Sequence, residues 1–491
     1  MKERVILTID QSTSGTKAMF VNENGEIVQK ASKGHKQIYP REGWVEHDPL
    51  EIYENVKELL GTLSNNEKDY EVEALSIANQ RETIVVWDKL SGQPVHNAIV
   101  WQCRRTTEMC KDMVDKGYNS LVHDRTGLKI DPYFSASKII WMLENIPGLK
   151  QKAENGDILI GTMDSWLIWK LTNGKVHATD MTNASRTLLF NIYTLSWDTN
   201  LLDLFDVPHI TLPEVLNSDD IFGEIEDPEL PFHKLPISGV IGDSQGALFG
   251  QRCFESGMSK ATYGTGTSVL VYTEKPVQGQ AGLVTSLAWG LGGKAYYAIE
   301  GIINSAGDTI KWMVEELELI DLVSEAEALA KELEHNEGVY FIPAFVGLGA
   351  PYWNPNARAA VIGISRNTRK AHIVRAALES IAYQVKDIIE LIESESQIQI
   401  HDLKVDGGAT SNEFLMQFQA DILDKQVTAS KTAELSALGS AYLAGLGVGF
   451  WDSLDSIKRL HRDTKNYVPH MSEKDIERNY QGWKKAVCRL L

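Results

Sequence analysis

The sequence predicts an α/β protein built as two domains with a cleft between them, and three observations carry that expectation. The 491 residues exceed what one core usually holds, since domains run ~100–200 residues. A strand–turn–strand unit occurs in both halves. The first is an apolar run at 5–9 ending in Asp10, the turn Gln11-Ser12-Thr13-Ser14-Gly15-Thr16-Lys17, and a second run at 18–21. The other is an apolar run at 237–241 stopped by Gly242-Asp243, then Tyr263-Gly264-Thr265-Gly266-Thr267 leading into 268–272. Finally, the N-terminal half opens β-β-β-α-β-β rather than as strict βαβ, which points to hairpin-opened α/β domains. The expected division is 1–248 and 249–491.

Taken in order, strands are expected at 5–9, 18–21, 27–30, 74–78 and 84–88 from their short β-branched runs. Asn22-Glu23-Asn24-Gly25 joins the second and third, because Asn-Gly tolerates the positive φ of a tight turn. Asp48-Pro49 starts a helix: Asp caps, Pro occupies the first turn, and Ile52, Val56, Leu59 and Leu60 recur at helical spacing. The stretch 101–190 reads as helices and loops, with Trp141, Trp166 and Trp169 assigned to core. The polar, Pro-punctuated segment 217–236 is expected to be the passage between domains. Further on, strands are expected at 295–300 and 339–343, and an amphipathic helix at 371–394 carries Ile373, Ala377, Ile381, Val385, Ile388 and Ile392 on one stripe. Asp406 ends another strand at a glycine turn, 412–423 reads as a helix, and 436–446 as a small-residue helix suited to close packing. The Glu-rich segment 315–335 is assigned to a solvated helix face.

Composition excludes several classes. Hydrophobic residues make up 43% and charged residues 23%, so a folded globular protein is expected rather than a disordered one. A net charge of −19 leaves no cationic excess for general nucleic-acid binding. Four scattered cysteines lack C-x-x-C spacing and the twelve histidines lack metal spacing, which argues against zinc sites or a disulfide framework. With no leader pattern and no run of about eighteen apolar residues, a soluble cytoplasmic protein is expected.

Four turns rich in glycine or hydroxyls stand out: 10–17, 263–267, 305–308 and 406–412. None matches G-x-x-x-x-G-K-[ST], and none opens a βαβ unit as a dinucleotide fingerprint does. Singly each is a turn. Together they offer free amides and hydroxyls to anionic oxygens, with Asp10 and Asp406 each at a strand end where a carboxylate can hold Mg²⁺ directly or through water.

Several blocks then carry a family resemblance: YFSASKIIW (133–141), HIVRAALE (372–379), GWVEHDP (43–49), IANQRET (77–83), NAIVWQCRR (97–105), TNASRT (182–187) and PAFVGLGAPYW (343–353). On these the chain resembles the FGGY carbohydrate kinases, and within them the branch that phosphorylates glycerol. The resemblance runs from about residue 6 to about residue 485. It implies two actin-like, ribonuclease H-like ATPase domains flanking a central cleft, with the polyol and first phosphate turn in the N-terminal half and the nucleotide in the C-terminal half. It implies ATP and Mg²⁺, Asp243 as general base, Asp10 near Mg²⁺, and Thr13, Ser14, Gly15 and Lys17 near the transferring phosphate. Thr265, Gly266, Gly307, Lys311, Gly408 and Asn412 are implied to hold the nucleotide. Arg81, Glu82, Trp101, Tyr133 and Asp243, with Ser244 and Ser268, are implied to contact the acceptor. A homodimer or homotetramer is also implied. The residue types suit the chemistry, because phosphoryl transfer to an alcohol needs positioning, charge neutralisation and a proton acceptor.

Departures from the branch gather at the acceptor. Ser244 replaces a Gln, Ser268 replaces a Phe, Ser12 replaces a Gly, and Lys311 stands where a Gln is usual. The two serines leave a larger, more polar pocket. Two alternatives to glycerol phosphorylation therefore stay open: a kinase of a four- or five-carbon polyol or ketose, and a non-catalytic nucleotide-binding protein of the same fold.

Overall fold

The structure, a computed structural model, describes residues 2–65, 69–278, 282–354 and 356–491. The chain forms two compact units. The first comprises Met1–Arg252, Thr285–Tyr297 and Glu434–His461; the second comprises Cys253–Val284, Ala298–Ala433 and Arg462–Leu491. Among the described residues no helix is long and apolar enough to cross a membrane.

A mixed six-stranded sheet centres the first unit, in the order Ile221–Glu224, Pro236–Gly242, Tyr70–Asn79, Glu3–Gln11, Gly15–Asn22, Ile27–Gly34. Glu3–Gln11 is parallel to Tyr70–Asn79 and antiparallel to Gly15–Asn22. Its residues from Val5 onward are buried on both faces, as a central strand covered by helices must be. Val5, Leu7 and Ile9 join Ile52, Val56 and Leu60 of the helix Pro49–Ser64 in one apolar core. That helix begins as the sequence predicts, with Asp48 Oδ1 accepting from the Leu50 amide at 2.9 Å and Pro49 in the first turn.

On the alternate side chains, Thr8 meets Ser76 at 2.8 Å and Ser76 meets Ser440 at 3.1 Å. Ser440 belongs to the small-residue helix Leu435–Gly447. This helix crosses the short helix Asp243–Gly250 backbone against backbone. A Cβ added at Gly439 would lie 1.9 Å from the Gly246 carbonyl oxygen, so no larger residue fits. The crossing fixes the helix whose first residue is Asp243.

The segment 217–236, expected as the passage between domains, lies inside the first unit. Its Ile221–Glu224 strand pairs antiparallel with Pro236–Gly242, and prolines and charges suit this sheet edge as well as they suit a linker. Of the three tryptophans assigned to core, Trp166 is fully buried. Trp169 and Trp141 are half-buried: the first stacks on Trp166, and the second lies against Trp44 with the Arg105 guanidinium 4.5 Å from its ring centre.

His177 packs edge-on against Trp87, ring centres 5.3 Å apart, and faces the Ile160 carbonyl oxygen at 3.1 Å. Burial pushes its pKa down to about 4, partly offset by that hydrogen bond. The unfolded chain, with His near 6.5, binds more protons than the folded one between pH 6.5 and 4. This contribution to stability is therefore complete above 6.5 and is lost as pH falls toward 4. His177→Gln, which keeps a donor for Ile160, should lose about 2 kcal/mol less between pH 7 and 5 than the parent in urea unfolding. Equal losses would show that His177 is not the titrating group.

The second unit holds strands in the order Lys294–Ile303, Thr267–Thr273, Ser259–Tyr263, Asp402–Gly407, Gln426–Ser430, Thr464–Tyr467, the first contributing from residue 298 onward. The helix expected at 371–394 spans Lys370–Ser396 and buries Ala377, Ile381, Val385, Ile388 and Ile392. On the same helix Asp387 accepts from Tyr480 at 2.7 Å, Trp483 at 2.8 Å and Tyr352 at 2.9 Å. The Glu-rich stretch 315–335 is helical only over Glu325–Lys331, beyond the end of Gly307–Glu315.

Candidate active site

In the first unit the sheet delivers most of the predicted side chains to one region. Asp10 lies near the end of Glu3–Gln11, paired in register with Lys17 and with Ala78. The turn after it is closed by the Ser12 amide and hydroxyl, both bound to the Gly15 carbonyl at 2.9 and 3.0 Å. Asp10 is 7% exposed. Burial raises its pKa to about 7, Lys17 opposes the rise, and the charges of Asp243 and Glu434 add to it. Lys17 itself pairs with Glu434 at 2.6 Å, and Lys30 binds the other oxygen of the same carboxylate at 2.9 Å.

Arg81 and Glu82 follow the strand Tyr70–Asn79. Both are buried, and Glu82 adopts φ 61°, a left-handed conformation that a non-glycine residue takes only under constraint. The constraint is visible: Arg186 Nε donates to Glu82 Oε1 at 2.6 Å, and the Ser135 hydroxyl donates to the Glu82 carbonyl at 3.1 Å. Arg81 Nε stands 3.4 Å from Asp243 Oδ1 and 4.0 Å from Glu82 Oε1, while its Nη1 donates to Gln245 at 3.2 Å. One guanidinium is thereby shared among two carboxylates and an amide. Asp243 opens its helix, where the N-terminal dipole favours an anion. The Ser244 amide donates to Oδ1 at 2.6 Å, and the Asp243 side chain is 35% exposed. Ser244 is half-buried beside it.

Trp101 and Tyr133 meet at 5.4 Å between ring centres, tilted by 64°. Trp101 Nε1 donates to the Thr13 hydroxyl at 3.0 Å. Tyr133 is set by Lys138, fully buried, whose ammonium donates to the carbonyls of Pro132, Tyr133 and Phe134 at 2.6, 2.7 and 2.8 Å. Burial lowers the Lys138 pKa to about 8. Arg81 thus joins Glu82 and Asp243, Trp101 joins Thr13 and Tyr133, and Arg186 bridges the two groups from Glu82 to the Tyr133 ring, 5.8 Å from its centre, while the charge of Asp243 acts on Asp10.

The second unit gathers the other predicted residues around the end of its sheet. Tyr263 pairs with Gly407 and with Thr267, so the turns 264–266 and 408–411 leave adjacent strands at the same end. The first turn clasps the start of the helix Gly307–Glu315: the Ala306 amide donates to the Thr265 carbonyl at 2.8 Å and the Gly307 amide to the Gly264 carbonyl at 3.0 Å. A Cβ at Gly266 would lie 2.3 Å from the Ile303 carbonyl oxygen, so the close approach itself demands glycine. Asn412 caps the helix Glu413–Leu423 through the Leu415 amide at 2.9 Å. Lys311, one turn along its helix, is 64% exposed and lies 3.5 Å from Glu315. Ser268 lies on the strand beyond the turn, its hydroxyl donating to the buried Glu300 carboxylate at 2.9 Å.

Three residues with a part in this geometry received no role from the sequence: Arg186, Lys138 and Gln245. Arg186 and Lys138 stand in blocks that carry the resemblance, and Gln245 follows Ser244, but nothing in their spacing says which partner each one holds.

The N-terminal domain of the FGGY family of carbohydrate kinases matches residues 5–250, and the C-terminal domain of the same family matches 259–448. The chain belongs to the FGGY family of carbohydrate kinases, and it is a polyol or carbohydrate kinase. It is 48% identical to glycerol kinase 2 of Thermotoga maritima, covering 99% of each chain. Against the glycerol kinase of Bacillus mycoides the identity is 49%, over 99% of this chain and 98% of the relative. Among solved structures, the Plasmodium falciparum glycerol kinase with ADP superposes with a TM-score of 0.95 at 40% identity, covering 100% and 99% of the two chains. A xylulose kinase from Lactobacillus acidophilus shares the fold, with a TM-score of 0.89 at 22% identity over 99% and 97%.

Proposed function

We propose that this kinase transfers the γ-phosphate of ATP to a terminal hydroxyl of glycerol, giving glycerol 3-phosphate and ADP. The observation that carries the reading is the buried Arg81–Glu82 pair held against Asp243, with Arg81 Nε 3.4 Å from Asp243 Oδ1. Such a pair donates to and accepts from vicinal hydroxyls, and a site built on hydroxyl recognition rejects analogues lacking them by as much as ~10⁴–10⁵-fold.

In this reading residues 1–248 bind the polyol and residues 249–491 the nucleotide. Arg81 and Glu82 hold the hydroxyls, and Trp101 and Tyr133 wall the carbon chain. Asp243 accepts the proton of the attacking hydroxyl as its oxygen bonds to the γ-phosphorus and the bridging oxygen leaves with ADP. Ser244 and Ser268 leave room at the acceptor. Thr13, Ser14, Gly15 and Lys17 serve the transferring phosphate, with Lys17 needing to exchange or share Glu434. Thr265, Gly266, Gly307, Lys311, Gly408 and Asn412 serve the nucleotide. The kinase acts in the cytoplasm as a dimer or tetramer, which light scattering of the purified protein tests.

Asp10 suits Mg²⁺. Its buried carboxylate has a pKa raised to about 7, so a nearby cation favours the ionised form. Among the described residues no cluster of three or more His, Cys, Asp or Glu side chains gathers to cage a metal. Mg²⁺ is ordinarily held by one or two carboxylates, water and phosphate rather than by such a cage. Bound there, it would neutralise charge on the phosphates.

The absence of large side chains at Ser244 and Ser268 favours a second reading, a four- or five-carbon polyol or ketose as acceptor. An ADP-coupled assay with Mg-ATP and glycerol, erythritol, threitol, xylulose and ribulose separates the two. Glycerol is expected to give the highest kcat/KM; a tenfold preference for any longer acceptor would move the assignment to it.

A further inference from the structure

A closed ring of hydrogen bonds runs behind the first-unit site. The Trp101 indole donates to the Thr13 hydroxyl at 3.0 Å. The Thr13 carbonyl accepts from Gln37 Nε2 at 2.8 Å, and Gln37 Oε1 lies 2.8 Å from His47 Nε2. His47 Nδ1 lies 3.4 Å from Gln80 Nε2, and Gln80 Oε1 accepts from the Thr83 hydroxyl at 2.9 Å. The Thr83 oxygen accepts from the Trp101 backbone amide at 3.3 Å, which closes the ring.

One assignment of donors satisfies every bond: both arms run from Trp101, which donates twice, to Thr13, which accepts twice. Gln37 uses its NH₂ on Thr13, so its oxygen must accept from His47, which places the imidazole proton on Nε2. Nδ1 is then the acceptor for Gln80, whose NH₂ also reaches Gln11 Oε1 at 3.0 Å. His47 and Gln80 are fully buried. Burial, followed by the neighbouring His35, drives the His47 pKa down to about 3, so the ring stays neutral and keeps this pattern. Thr13 accepts from Trp101, which leaves its own hydroxyl proton without an acceptor among the described residues and available to an anionic oxygen.

We propose that Gln37, His47 and Gln80 are positioning residues that couple the acceptor wall at Trp101 to the phosphate turn at Thr13. Neither Gln37 nor His47 touches substrate in this account; each acts through Thr13 or Trp101. A polyol that seats Trp101 orients the Thr13 hydroxyl, and a phosphate that seats Thr13 holds Trp101 against the polyol. The two ligands therefore raise each other's affinity by the same factor. The inference rests on the assignment of glycerol and ATP made above.

Calorimetry on the full chain tests it, with the glycerol dissociation constant measured in the absence and presence of saturating Mg-ADP. The parent is expected to bind glycerol at least ~5-fold more tightly with Mg-ADP present. Gln37→Met, at a half-buried position, removes both bonds at similar size. It should hold each binary affinity within about twofold, lower the coupling factor by at least about half, the direct Trp101–Thr13 bond keeping the rest, and raise glycerol KM at saturating Mg-ATP by the factor of coupling lost. His47→Gln, which can still donate toward Gln37, should keep more of the coupling than His47→Leu. A parent that binds both ligands without coupling overturns the proposal. So does Gln37→Met with the parent's coupling factor. Should Gln37→Met fail to fold, equal coupling in His47→Gln and His47→Leu overturns it. A parent that binds neither glycerol nor Mg-ADP removes the kinase assignment and this proposal together.

Discussion

Asp243→Asn is expected to lower kcat with glycerol by ~10²–10⁴-fold while leaving the fold and the nucleotide KM close to those of the parent. The loss, about 3–5 kcal/mol of transition-state stabilisation, follows chiefly from removing the proton acceptor, although the substitution also takes a negative charge away from Arg81 and Asp10. Asn retains an oxygen for the Ser244 amide, which donates to Asp243 Oδ1 at 2.6 Å. Arg81 keeps Gln245 at 3.2 Å and Glu82 at 4.0 Å. The side chain is partly exposed, so the substitution buries no unsatisfied group. A non-catalytic nucleotide-binding protein predicts no change in any function. Steady-state kinetics beside a urea titration at one pH separates loss of base from loss of fold.

Arg186→Met is expected to show the largest effect on stability together with a large effect on acceptor binding. Arg186 is fully buried and donates to Glu82 Oε1 at 2.6 Å. Removing one member of a buried pair costs ~3–5 kcal/mol, and Arg81, its Nε 4.0 Å from Glu82 Oε1, offsets part of that cost. Glu82 sits at φ 61°, and a shift of its carboxylate away from the lost partner releases a strained backbone conformation, worth ~1–3 kcal/mol. That release displaces the group assigned to the acceptor hydroxyls. Glycerol KM should therefore rise together with the loss in urea midpoint. The Arg186→Met, Glu82→Gln double variant should recover part of the stability and none of the glycerol affinity. Full recovery of both would show that Glu82 only balances Arg186.

Where local chemistry decides structure, the sequence was readable. Asp48-Pro49 starts its helix because a carboxylate and a preset φ act within one turn, and the stripe from Ala377 to Ile392 is buried because period and burial coincide. The segment 217–236 misled because prolines and charges mark sheet edges as well as linkers, and only the pairing of Ile221–Glu224 with Pro236–Gly242 distinguishes them. Return of Glu434–His461 to the first unit is a tertiary event with no mark in composition. It supplies Glu434 for Lys17 and the helix that packs against Asp243–Gly250.

The candidate site shows the same split. Asp10, Asp243 and the glycine turns were visible as residue types at strand ends, and the resemblance gave them roles and alone supplied Arg81. Arg186, Lys138 and the Gln37–His47–Gln80 series were not, because their part lies in which atom each one meets. A fully buried Lys on three carbonyls and a neutral His with one proton placed by its neighbours are facts of geometry. No periodicity or spacing encodes them.

Phosphorus NMR of the full-length protein with Mg-ATP and glycerol tests the central claim most directly, parent and Asp243→Asn side by side. The parent should convert the γ-phosphate into glycerol 3-phosphate with one ADP formed for each, and the variant should slow both signals together. ADP appearing with inorganic phosphate and no glycerol 3-phosphate, or equal rates for parent and variant, would contradict the account.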